Sequence, residues 1–280
     1  MRVRTGLAGA FAAACCVIAA HASEFTVYNI VPFSPGREAE AAADAIELRE
    51  KAGVGRPLYS LTLDPCREPL TNQIVEAIAS YRAFRAALEG SDVRPGILVQ
   101  AILGHAWRGE FGERNPPVAG LTQALTSTGK RVRYCPLDPR FAEYIDAVFA
   151  AVAREKPSFI LTDDDVRAFS HGCECFCERH VAKFNALRGT HHDSASLRKA
   201  IRACRQGDAD YVAFHRLERE IVEDLVLGRA RKAIDAVNPK TPGGACLSNS
   251  WALFGDFAAK IRDVLERRSP SIKVCLRPRG

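Results

Sequence analysis

Short apolar runs and longer stretches with helical spacing alternate along this chain. Residues 25–31, Phe-Thr-Val-Tyr-Asn-Ile-Val, are rich in β-branched and aromatic side chains and are closed by Pro32 and Pro35-Gly36, which predicts a strand and a turn. Arg37 to Ala52 is charged and Ala-rich and ends at Gly53, as a surface helix would. Leu58 to Leu63 predicts a second strand stopped by Asp64-Pro65, and Thr71 to Leu88 places Ile74, Ala77, Ile78, Tyr81 and Phe84 at helical spacing. Gly96 to Leu103 is almost wholly apolar, which suits a parallel strand buried on both faces. Asp138-Pro139 opens a helix with a capping residue followed by Pro at the first position; Phe141, Ile145, Val148 and Val152 line one side, and Pro157 ends it.

Phe159-Ile-Leu is the fourth predicted strand. Beyond it come a helix from Glu178 to Leu187, a second from Asp193-Ser194 to Gly207, and a long one from Asp208 with Tyr211, Phe214, Leu217, Ile221 and Leu225 inward and Gly228 as a candidate stop. This is more helix than a plain crossover needs, so an insertion after strand four is expected. Gly243 to Ser248 and Ser271 to Leu276 predict strands five and six on either side of a helix from Trp251 to Arg267. The alternation implies a parallel sheet with helices outside, as an eight-unit barrel or a doubly wound sheet. No G-x-G-x-x-G follows the first strand, which disfavours a dinucleotide fold. The expectation is an α/β fold over residues 23–280: a TIM-type (β/α) barrel, incomplete, with about six of eight βα units.

The chemistry gathers after strand four. Asp163-Asp164-Asp165 stand where that strand ends, and Cys175-x-Cys177-x-x-His180 follows in the next loop. Cys135, upstream in Arg133-Tyr-Cys135-Pro, completes a Cys₃His set of the kind that holds zinc tetrahedrally with no position left open, which implies a structural role. Cys173 is a substitute ligand, and buried free thiols are the plainer alternative. The acids read either as a catalytic cluster or as a solvated loop tip and helix cap. His105 and Trp107, after strand three, suit a sugar platform or ordinary packing, and His191-His192 suits an exposed turn.

The 280 residues, apolar at 47% of positions and charged at 26%, have a globular rather than a disordered composition. The net charge of +6 is scattered, with no basic stripe interleaved with aromatics, so nucleic acid is disfavoured as a partner. Arg2 and Arg4, the small and apolar run from Leu7 to Ala20, and Ala20-His21-Ala22 have the grammar of a secretory signal cleaved after Ala22, and the run is too short to span a bilayer. A secreted or periplasmic protein without a membrane anchor is therefore expected. Of the 10 cysteines, those beyond the leader are too unevenly spaced for a disulfide framework, and Cys173, Cys175 and Cys177 alternate too closely to pair with one another.

Three blocks between residues 131 and about 190 resemble the glycoside hydrolase family 42 β-galactosidases. Arg131-Val-Arg133-Tyr134-Cys135-Pro136 is similar to that family's R-R-x-Y-C-P, Thr162 to Asp165 sits where the family has D-N-E, and Cys175-Phe176-Cys177-Glu-Arg-His180 with Phe184-Asn185 matches its C-Y-C-x-x-C and F-R block. The resemblance implies a carbohydrate substrate and a retaining mechanism with two carboxyl groups about 5 to 5.5 Å apart. By position, Asp165 would be the acid/base, Asp164 would replace the Asn that holds a substrate hydroxyl, and Asp163 would keep the family's Asp. Asp in place of Glu is a departure, since its carboxyl is drawn back by about 1.5 Å, one C–C bond. The resemblance also implies a nucleophile beyond Gly280, so that this chain would be an N-terminal fragment inactive alone. Two other readings stay open: a barrel that binds carbohydrate or a partner without hydrolysis, and a metal-dependent hydrolase using Asp163 to Asp165 with His105.

Overall fold

The computed structural model describes residues 27–103, 110–114, 116–163 and 174–246. In chain order its strands are β1 (Asn29–Val31), β2 (Pro57–Thr62), β3 (Gly96–Gln100), β4 (Gln123–Leu125), β5 (Arg131–Tyr134), β6 (Ile160–Thr162) and β7 (Gly243–Ala245). The helices are α1 (Glu38–Ala52), α2 (Thr71–Ala87), α3 (Pro139–Arg154), α4 (Glu178–Arg188), α5 (Ser194–Ala203), α6 (Ala209–Ile221) and α7 (Arg229–Val237), with a π-helical turn, Val222–Gly228, between the last two.

Alternate residues of a strand point to opposite faces, and the register decides which of them share a layer. The strands β1-β2-β3-β6-β7 pair in that order, all parallel, without a reversal of direction across the sheet. Tyr59 and Leu61, Ile97 and Val99, Ile160 and Ala245 lie on one face and join Val31 in a single core with α1, α2, α3, the π turn and α7. The largest buried side chains there include Tyr59, Tyr81, Phe84, Phe141 and Phe149, and Tyr59 stacks on Phe84 at 4.6 Å between centroids. The other face carries Leu58, Leu98, Phe159, Leu161 and Cys246, with Tyr28 packed against Phe159. A doubly wound sheet puts helices on both faces. Among the described residues the crossover helices pack on one face only, and β1 and β7 are not paired with each other.

Local rules account for most of these elements. Asp138 caps α3, accepting from the backbone N–H of Arg140 at 2.9 Å and of Phe141 at 3.4 Å, with Pro139 in the first turn. Asp193 and Ser196 form a reciprocal capping box on α5. Gly53 and Gly189 close α1 and α4 in the left-handed conformation. Gly96 is required by proximity, since a Cβ there would lie 2.7 Å from Leu58 Cδ2 and 2.8 Å from the Phe159 carbonyl oxygen.

Three expectations need correction. The third strand stops at Gln100 rather than Leu103, because Ala101 turns the chain at φ +60°, although Ile102 and Leu103 remain buried. Gly228 does not stop the long helix: its backbone stays helical at φ −63°, and the chain runs on to Val237. The stretch between the third strand and Cys135, for which the apolar pattern predicts no element, contains the antiparallel hairpin β4–β5, whose strands are too short and too polar to show as a period. The leader at 1–22, the helix at 251–267 and the strand at 271–276 lie outside the described residues.

Between β6 and β7 the chain builds a second core. Phe176, Val181, Phe184, Leu197, Ile201, Phe214, Leu217 and Ile221 pack together there, with Phe176 stacked on Phe214 at 4.6 Å. The π turn is where the long helix leaves this core for the first: Ile221 belongs to the second, and Val222, Val226 and Leu227 belong to the first. Among the described residues no helix is long and apolar enough to cross a membrane.

Candidate metal centre

Cys135, Cys175, Cys177 and His180 come together as expected, all buried, with one ligand atom from each lying within 4.8 Å of the others. Two pieces of chain bring them there. Cys135 follows β5, and its backbone N–H donates to the Thr122 carbonyl at 2.8 Å, which closes the hairpin behind it. Cys175 to Cys177 is extended and lies beside β4, where the Phe176 N–H donates to the Leu125 carbonyl at 2.7 Å. The alternation of an extended chain sends Cys175 and Cys177 to the cluster and Phe176 into the second core. Cys177 is the N-cap of α4, and the spacing of three to His180 puts both side chains on one face of the first turn.

The distances suit a tetrahedral ion and not a disulfide. Cys135 Sγ lies 3.5 Å from Cys177 Sγ, far beyond the S–S bond of about 2.05 Å. His180 Nδ1 lies 3.3 Å from Cys135 Sγ and 3.4 Å from Cys177 Sγ. Metal bonds of about 2.3 Å to sulfur and 2.0–2.1 Å to nitrogen give tetrahedral edges of roughly 3.5 to 3.8 Å, close to these separations. The backbone N–H of Leu137 points at Cys135 Sγ from 3.4 Å, a donor aimed where thiolate charge would sit.

Burial, reinforced by Cys175 and Cys177, raises the Cys135 thiol, and contact with Cys135 and Cys175 lowers that of Cys177. The residues therefore fit a metal ion: the donors are soft, complete in number and closed to solvent.

A further group stands behind the histidine. Glu218, on α6, places Oε1 3.2 Å from His180 Nε2, and both side chains are 0% exposed. Burial raises the Glu218 carboxyl to about 7, against the pull of His180, Arg133 and the Cys175 backbone N–H. Burial opposes a proton on His180, but the charges of Glu218 and Cys175 outweigh it and raise that imidazole well above its ordinary value. Sequence reasoning passed Glu218 over. Its signal was a carboxylate on the inward stripe of a helix, one residue after Leu217 and a turn after Phe214.

The acidic strand end is seen in part. Asp163 is buried at the carboxyl end of β6, and its Oδ2 accepts from Gln100 Nε2 at 2.9 Å. Gln100 is the register partner of Thr62, so Thr62, Gln100 and Asp163 make a polar layer above the apolar residues of that face. Sequence reasoning missed Gln100, the one amide inside an otherwise apolar run. Asp164, Asp165, His105, Trp107 and Cys173 lie outside the described residues.

No protein-family model matches this chain, and no curated protein does.

Proposed function

We propose that this chain is a zinc-clamped (β/α)-barrel-type domain of the glycoside hydrolase kind, in which Cys135, Cys175, Cys177 and His180 hold a structural zinc and the chemistry belongs to the carboxyl ends of the parallel strands. The observation that carries the metal reading is the closed Cys₃His quartet itself: soft thiolates with one imidazole and no open position are the donor set of structural zinc. When bound, the ion supplies a crosslink between the hairpin and the start of α4, and with it folding free energy. The barrel reading is supported by the unreversed strand order and by helices on one face of the sheet.

The hydrolase reading has its support at the strand ends. Barrel sites are built where Gln100 and Asp163 lie, and Asp163 belongs with Asp164 and Asp165, the general-acid candidates in this reading. Gln100 orients the Asp163 carboxylate, and a fixed carboxylate beside an amide suits the hydroxyl groups of a sugar. The Asp at 165, where the resemblance leads to Glu, favours a second reading of carbohydrate binding without hydrolysis. An exported location, read from residues 1–22, belongs to the same proposal, and N-terminal sequencing of mature protein tests it.

Metal analysis of purified protein should return one zinc per chain, and Cys177→Ser should lose it. Zinc-free wild type with full stability would remove the clamp. Binding and turnover of galactosides, measured for wild type and Asp165→Asn, separate the two carbohydrate readings. Turnover lost in the variant with binding kept supports hydrolysis by this chain itself, binding without turnover in both supports either the lectin-like reading or the inactive fragment that the resemblance implies, and neither binding nor turnover overturns both.

A further inference from the structure

We infer that Glu218 is the positioning residue of the metal centre: its carboxylate, 3.2 Å from Nε2, favours the tautomer of His180 that carries its proton there and leaves the Nδ1 lone pair to the metal. This inference rests on the metal reading and goes beyond it, because it concerns which atom of the fourth ligand is available and what selects it.

A neutral imidazole carries one proton and one lone pair, and the two nitrogens exchange these roles. Here Nδ1 faces Cys135 Sγ and Cys177 Sγ at 3.3 and 3.4 Å, and Nε2 faces Glu218 Oε1 at 3.2 Å. With the proton on Nδ1, the ring could not ligate, and its Nε2 lone pair would meet a carboxylate. With the proton on Nε2, both contacts are favourable. His180 and Glu218 are both shut off from bulk solvent. The carboxylate thus disfavours the unproductive tautomer.

The location of Glu218 sharpens the argument. Its neighbours on the inward stripe of α6 are Phe214, Leu217 and Ile221, all packed in the second core. Burying a carboxylate among such residues costs several kcal/mol unless it is matched. The charges nearest to offset it are those of Arg133 and of His180, 3.2 Å away and itself a metal ligand. Glu218 also makes α6 part of the centre, tying the helical excursion between β6 and β7 to the hairpin that carries Cys135.

A double-mutant comparison tests this on the full chain. Zinc affinity is measured by competition with a chromophoric chelator for wild type, Glu218→Gln and Glu218→Ala, each with His180 and with His180→Cys. A thiolate fourth ligand needs no acceptor, so the contribution of Glu218 should disappear in the His180→Cys background. With His180 present, Glu218→Ala should weaken zinc by about 10- to 100-fold, the usual cost of removing such a partner. Glu218→Gln, which keeps an acceptor oxygen and the side-chain shape, should weaken it less and remains informative if the alanine variant does not fold. Nitrogen NMR of the zinc-loaded wild type should show His180 with a protonated Nε2 and a metal-bound Nδ1. Equal losses in both backgrounds, no loss in either, or a protonated Nδ1 would overturn the inference while leaving the metal reading intact. A wild-type chain that binds no zinc would overturn the metal reading and this inference with it.

Discussion

Glu38 stands in the first turn of α1, where the Ser80 hydroxyl donates to it at 2.5 Å and the Gly36 backbone N–H at 2.9 Å. The Ser80 oxygen also lies 2.8 Å from the Tyr59 hydroxyl, so the pair links α1 to the middle of α2 and to β2. The Ser80 bond is the main reason the Glu38 carboxyl lies below its ordinary value of 4.5, and partial burial opposes it. A carboxyl lowered by folding adds stability that is complete above its unfolded value and lost as pH falls through the folded one. Thermal melts should therefore show the wild type losing stability from about pH 5 downward, with a shallower loss in Glu38→Gln. Parallel acid profiles for the two proteins would place the sensitivity in other carboxyls.

The long helix from Ala209 to Val237 is unusual in serving two cores through one π turn. A π turn takes up one residue more than an α turn, so everything after it is rotated by about 100° from where an unbroken α-helix of the same sequence would put it, because an α-helix advances 3.6 residues per turn. This is how Phe214, Leu217 and Ile221 can face the helical excursion while Ala230 and Ile234 face α3 and the sheet. Inserting an alanine after Asp224 should add a residue that the turn cannot absorb and rotate Ala230 and Ile234 off their core. We expect a loss of several degrees in melting temperature and exposure of apolar surface to a fluorescent dye. Unchanged melting would show that the turn is incidental to the packing.

At the scale of the molecule, the metal centre sits between the two cores, with Ala124 of the hairpin and Leu137 packed against the cysteines. The sheet core is large and has its own aromatic packing, whereas the second core leans on a segment whose first residues are metal ligands. Removing zinc should therefore loosen the parts unequally. After chelation, hydrogen exchange should rise in β4–β5 and α4–α6 and stay slow in β2, β3 and α3. Uniform loss of protection would instead mean that the whole chain folds only with metal, as small zinc modules do.

Much of this arrangement was legible in the residues themselves, because it depends on rules that reach only a few positions. The parallel strands follow from apolar runs between helical stretches, the start of α3 from Asp138-Pro139, and three of the four ligands from Cys175-x-Cys177-x-x-His180, whose spacing already sets their faces. Cys135 was also found, though its place beside Cys177 depends on a hairpin too short to leave a periodic signal. Tertiary structure alone decided that Glu218 meets His180, that Gln100 meets Asp163, and that Gly228 lies inside a continuous helix. Each of these joins residues distant in sequence or sets packing against a local preference. A glycine in a helix costs about 1 kcal/mol, less than the burial gained when the turns beyond it reach α3. A carboxylate in an apolar stripe makes sense only once the imidazole opposite it is in place.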